Sequence, residues 1–288
     1  MPYCIYTDRE VATDAGNWDH VVPLSLGGHN DFVVWSDEKT NSDLGSQVDG
    51  KLKNDPLLVF ALRDAGVTGH SKKPVVPVWK RVDLDGRPTQ ITWAADTVVA
   101  WDARDRRELS EAEFAGREMT ATLNLDVHVA RRFLGKVALG AGYFVYGEAV
   151  REAMDCKPLR ELATLDLNSA RASECLKASD IKICDRFHAD SHAGGSAHMY
   201  RVLIEASNRS MVICVPHDDA ISFHLGLVGV YIGSIICPAN TTNLPFDGDH
   251  DLGHAICLSP GVCDRLSFRA LAQDFYRVAT GTEPPSPV

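Results

Sequence analysis

The segment covering residues 18–49, WDHVVPLSLGGHNDFVVWSDEKTNSDLGSQVD, constrains the fold more than any other part of the chain. An apolar run, Val21-Val22-Pro23, leads into Gly27-Gly28 and then His29-Asn30-Asp31, the glycine and Asx chemistry that reverses a chain. Phe32-Val33-Val34-Trp35 reads as a strand, so a β-hairpin is expected. Ser36 is a good N-cap, and Asp37 and Glu38 place negative charge at the positive end of a helix over residues 37–51. Gly45 and Gly50 weaken that helix, which is expected to bend or restart near Ser46.

The remaining chain divides by pattern into further pieces. Asp55-Pro56 introduces an apolar helix over 57–65, whose Leu57, Leu58, Phe60, Ala61 and Leu62 are expected to cover the hairpin. A region over 76–185 opens with strands at 75–82 and 89–93 flanking an Asp85-Gly86 turn. It then turns helical at Ser110-Glu111-Ala112-Glu113 and over 127–139, where Val129, Phe133, Val137 and Ala138 share a face, and again over 143–154. A region over 186–288 reads as strand-rich, with strands at 199–206, 211–215, 221–227 and 230–237, a last helix over 267–278 and a disordered Pro-rich tail over 282–287.

Composition narrows the function. The formal charge of -10 disfavours a purely electrostatic polyanion binder, yet residues 51–87 carry eight Lys or Arg against four Asp. Lys51, Lys72 and Lys73 are the candidate nucleic-acid contacts in that strip, although an ordinary solvated loop explains it as well. The eight cysteines form no C-x-x-C pair, which suits reduced thiols in an intracellular protein. No basic-then-apolar leader begins the chain, and charged or polar residues and glycines interrupt the apolar runs, including 225–239, so a cytoplasmic protein without a membrane span is expected.

Asp19-His20, followed by Gly27-Gly28, Asn30-Asp31 and Asn41, resembles the HNH endonuclease family. The run DHVVPLSLGG carries the first part of the likeness, and TNSDLGS, residues 40–46, the helix segment of one bacterial branch. The resemblance covers about the first 55 to 75 residues and implies an N-terminal ββα-metal unit over 1–75, which with the mixed, mainly helical region over 76–185 and the β-rich region over 186–288 read from the patterning makes an α+β protein. It further implies hydrolysis of DNA phosphodiester bonds with a divalent ion, Mg2+ being expected, and a role in defence against foreign DNA. Asp19 and Asn41 would then hold the ion, which keeps several of its waters and grips phosphate oxygens. His20 would deprotonate the attacking water, and Asn30, or Asp31 in its stead, would hold the histidine loop.

Two features cut against a simple transfer. Adjacent strand residues point to opposite faces, so Asp19 and His20 meet at one ion only if the backbone twists there. Many relatives also carry two C-x-x-C pairs on a structural zinc, whereas here Cys4 stands with Thr7 in its partner's place and residues 38–41 hold no cysteine. A sensor or binding protein built on an inactive HNH-like unit is therefore the alternative. A third reading uses His188, Asp190, His192 and His198 with Asp247, Asp249, His250, Asp251 and His254 as a second metal site, against which solvated loops weigh more heavily.

Overall fold

The computed structural model describes residues 1–94, 96–164, 180–187, 194–245 and 248–282. The class is α+β. A small ladder of β1 (Tyr3–Cys4) and β2 (Arg9–Glu10) precedes the hairpin of β3 (Gly16–His20) and β4 (Val33–Asp37), which pair antiparallel with Asp19 opposite Val34 and His20 opposite Val33. A helix follows at once, as the polar segment after Trp35 suggests. Its N-cap is Asp37 rather than Ser36, because the Asp37 carboxylate accepts the Thr40 N–H at 3.0 Å, while Ser36 is turned into the core beside Cys4.

That helix runs through α1 (Glu38–Leu44), a wider π-helical turn at Gly45–Asp49 and α2 (Gly50–Leu52). The expected irregularity thus falls at the first of the two glycines, and the wider turn carries both Val48 and Asp49 into the interior. Asp55 Oδ1 accepts the Leu57 and Leu58 N–H groups and starts α3 (Leu58–Asp64). Leu58 and Leu62 join the core, but Leu57 is exposed and does not cover the hairpin.

The second region adds a sheet to the helices its pattern suggests. β5 (Val78–Leu84), β6 (Arg87–Trp93), β7 (Val98–Asp102), β8 (Arg107–Leu109) and β9 (Met119–Ala121) form a five-stranded antiparallel sheet in the order β8-β7-β6-β5-β9, with α4 (Glu111–Phe114) a single turn beside it. Val82, Leu84, Ile91, Ala100 and Leu109 make its own small core, and Trp79 and Trp93 meet Phe60 of α3 edge to face. Short strands with one wet face leave a weak periodic signal, which explains why three of the five were not anticipated.

α5 (Val127–Tyr146) is the hub. Asp126 caps it through the Val129 N–H, and it is buried on nearly every side, as a helix enclosed by other layers must be. The hairpin lies against one flank, where Phe32 meets Phe144 edge to face and Gly140 admits Val21 and Tyr6 so closely that an added Cβ would lie 2.8–3.0 Å from them. α6 (Ala149–Ala153) and α7 (Lys157–Thr164) fold back beside it.

On its other flank lies a six-stranded antiparallel sheet of β10 (Lys182–Asp185), β11 (Ser210–Pro216), β12 (Ala220–Leu227), β13 (Val230–Pro238), β14 (His254–Ser259) and β15 (Val262–Ser267), ordered β10-β13-β12-β11-β14-β15. α8 (Gly194–Ser207) and α9 (Phe268–Thr280) bury a second core against the far face. The strand expected over 199–206 is therefore part of α8. Its inward residues Tyr200, Leu203 and Ile204 recur at helical spacing, which a short apolar run disguises. The expected tail over 282–287 falls, after Thr282, outside the described residues. Phe133 is fully buried where α5 joins the layers, so Phe133→Ala is expected to lower the unfolding free energy by about 3–5 kcal/mol in urea denaturation.

Candidate functional site

The hairpin has two chemically different faces, because side chains alternate along β3. Trp18 and His20 point outward. Trp18 is 62% exposed and meets its cross-strand partner Trp35 edge to face at 5.5 Å. Asn17 and Asp19 point toward the helix that follows: Asn41 Nδ2 donates to Asn17 Oδ1 at 2.7 Å, and Asp19 is buried.

On the outer face, His20 is held by the loop that the two glycines shape. Gly27 adopts a left-handed φ of 81°, and a Cβ on Gly28 would lie 1.7 Å from the Val22 carbonyl oxygen, so the loop closes only around glycine. That closure brings Asn30 Oδ1 to 3.0 Å from His20 Nε2. An amide oxygen only accepts, so Nε2 is the donor of this contact and Nδ1 is the nitrogen it leaves free of Asn30. Asp31 meets His29 rather than His20. Its backbone N–H donates to His29 Nδ1 at 3.1 Å and its carboxylate is exposed.

A second loop completes this face. Residues 68–74 close on a Thr68–Pro74 bridge, and Gly69 sits against Ser25 of the hairpin loop. The tip carries the exposed Lys72 and Lys73 and brings the His70 ring to 5.7 Å from that of His20, centroid to centroid, at 66°. Lys51, by contrast, is exposed on α2 rather than on this loop. Beyond Asn30 opens a cleft of about 740 Å³, bordered by Gly28, His29, Asn30, Arg209 and Gly261.

The inner face holds an ion bridge. Lys136 of α5 is 0% exposed, and its Nζ lies 2.7 Å from Asp49 and 3.3 Å from Asp19. Burial works against the ammonium, but the two carboxylates outweigh it and raise its affinity for its proton. Burial is also the main influence on Asp49, pushing its carboxyl up to about 6 despite Lys136. The neighbouring Tyr6 hydroxyl is raised well above its ordinary value, by burial first and then by the charges of Asp19 and Asp49.

This arrangement sorts the expected site residues into three groups. His20 and Asn30 meet, as do Asn41 and Asn17, while Asp19 is paired with Lys136. Asp19 and Asn41 do not fit a divalent ion shared with His20. The carboxylate is already neutralised by an ammonium, and both residues lie on the face opposite the imidazole. Among the described residues no group of three His, Cys, Asp or Glu side chains converges as a metal site.

Of the C-terminal clusters, only some members lie among the described residues. His188, Asp190, His192 and Asp247 lie outside the described residues, as does the Asp249 side chain. His198 is exposed on α8, Asp251 pairs with Arg269, and His250 stacks on the buried His254 at 4.4 Å. A polar chain absent from the sequence expectations runs along β12 and β13 instead. His217 and His224 both bond Ser222, and His224 Nδ1 bonds Ser234 Oγ at 2.6 Å, with burial holding His224 near 3 and therefore neutral. Its signal was legible as Ser222 and His224 alternating with Ile221, Phe223 and Leu225. Nothing in the sequence marked Lys136, which sits in an apolar helical run, or His70, which stands alone in a loop.

No protein-family model, curated protein or solved structure matches the chain. Among the described residues no helix is long and apolar enough to cross a membrane.

Asp49 gives a pH test of the bridge. Its folded value near 6 lies above the ordinary 3.8, so the stability linked to its protonated, buried carboxyl is fully present below about pH 4 and is lost as pH rises through 6 and the ionised form takes over. Asp49→Asn is expected to flatten the fall in unfolding free energy that wild type shows between about pH 4 and pH 7, as read by chemical denaturation down from pH 7. Lys136→Met, which strands two buried carboxylates, should cost about 3–5 kcal/mol at pH 7.

Proposed function

We propose that the chain hydrolyses nucleic-acid phosphodiester bonds, DNA being the expected substrate, on the outer face of the β3–β4 hairpin with His20 as general base. The observation that carries this reading is the 3.0 Å contact between His20 Nε2 and Asn30 Oδ1. It orients the ring with Nε2 on Asn30, which leaves Nδ1 as the nitrogen to take a proton from water, and it joins the two residues that the HNH resemblance pairs. The surroundings suit the substrate. Lys72 and Lys73 offer phosphate contacts beside the histidine, and the exposed Trp18, two residues away on the same face, offers a base a stacking surface.

The steps assigned to this chain's residues are binding and proton removal. A phosphate lodges against the basic loop, a water approaches phosphorus in line, and His20 Nδ1 accepts its proton as the new bond forms. The magnesium ion expected from the resemblance enters no step, since Asp19 is bound to Lys136 on the other face.

The second reading, a binding protein on an HNH-like unit without turnover, is favoured by that same Asp19–Lys136 pair, which removes a carboxylate from the reaction. Plasmid DNA separates the two. On the catalytic reading the wild-type chain nicks it and His20→Ala loses ~10²–10⁴-fold of the rate with its thermal unfolding unchanged. Binding without nicking, or nicking that His20→Ala leaves intact, would sink the assignment. Replacing Lys72 and Lys73 together by Ala should reduce the slope of log affinity against log salt by about 2, roughly 0.9 for each lost phosphate contact.

A further inference from the structure

We infer that His70 is the general acid of this site, protonating the oxygen that leaves phosphorus. The inference rests on His20 being the base. An alkoxide is a poor leaving group, so the departing sugar oxygen needs a proton or a cation as its bond to phosphorus breaks. The carboxylate that the resemblance assigns to holding a cation is turned inward onto Lys136. What the outer face does offer at that distance is a second imidazole.

The geometry suits the task. The His20 and His70 ring centroids are 5.7 Å apart. An in-line displacement places the attacking and departing oxygens on opposite sides of one phosphorus, so base and acid must both stand within a few ångströms of one phosphate, as two adjacent rings do. The loop is positioned rather than free to swing. The Thr68–Pro74 bridge closes its base, the Lys72 N–H donates to Gly69 O at 2.9 Å, and Gly69 rests on Ser25 of the very loop that carries Asn30. Lys72 and Lys73 follow His70 on the same exposed loop and would hold the phosphate, and an imidazolium gives up a proton near neutral pH far more readily than their ammonium groups do.

The step balances. Water loses a proton to His20 Nδ1 and its oxygen bonds phosphorus. The opposite P–O bond breaks, its electron pair stays on the departing oxygen, and that oxygen takes the ring proton of His70. A phosphomonoester and a free hydroxyl result. His20 has gained one proton and His70 has lost one, and both reset through solvent.

A leaving-group comparison tests this. Plasmid DNA expels an alkoxide that needs an acid, whereas bis(4-nitrophenyl) phosphate expels nitrophenolate, which does not. His70→Ala should depress plasmid nicking at least ~10²-fold more than it depresses release of nitrophenolate, and His70→Gln, which can donate a hydrogen bond but not a proton, should not restore nicking. His20→Ala should depress both reactions. If His70→Ala slows the two substrates by one common factor, or slows neither, the acid assignment is overturned while His20 stands as base. If wild-type protein turns over neither substrate, or His20→Ala leaves both intact, the underlying reading falls and the inference with it.

Discussion

Lys136 ties together the three pieces of chain that matter most for this protein. Its ammonium lies deep in α5 between Asp19 of the hairpin and Asp49 of the π-helical turn, so strand, turn and hub helix share one buried charge cluster. A lysine in that position is costly to desolvate and keeps its charge only because two carboxylates surround it. The cost is offset elsewhere by the apolar contacts of α5, whose flanks carry the hairpin on one side and the six-stranded sheet on the other. What the bridge contributes is orientation: it fixes which face of β3 is inside.

That choice decides the chemistry. Strand alternation sends Asp19 and His20 to opposite sides of the hairpin, and once Lys136 captures Asp19, the imidazole is left to the solvent side. There it meets groups from two loops, Asn30 from the glycine turn and His70 from the basic loop. The outer face is thus an assembly of loop-borne groups on a rigid hairpin, a common way for a scaffold to present reactive side chains. The inner face, with its paired ions and the Asn17–Asn41 contact, holds the hairpin and helix together.

The large sheet follows the same logic of two faces. Ile221, Phe223 and Leu225 of β12 feed the core shared with α5, while Ser222 and His224 face α8, where Tyr200 stacks on the His224 ring at 3.5 Å. A neutral buried imidazole with both nitrogens engaged is a satisfied polar element within a sheet, and it lets an otherwise apolar layer tolerate histidine without a charge.

Local chemistry was enough to read the hairpin, the glycine turn, the helix after Ser36, its break near Gly45 and three of the six strands of the C-terminal sheet, β11, β12 and β13. These depend on neighbours a few residues apart: the φ that only glycine adopts at Gly27, the carboxylate that caps a helix start, the period-2 alternation of β12. The contact of Asn30 with His20 was also within reach, since ten residues and one turn separate them. Three things depended on distant chain. Lys136 reaches Asp19 across 117 residues, His70 reaches His20 across fifty, and residues 199–206 are helical because Tyr200, Leu203 and Ile204 find the sheet to pack on. An apolar helix containing one lysine, a lone loop histidine and a short apolar run carry no local mark of their partners. Sequence alone determined that a hairpin bearing Asp19-His20 would form. Only tertiary packing decided that the aspartate turns inward to a buried ammonium and the histidine outward to a second imidazole, because the partners that set the two faces lie in distant parts of the chain.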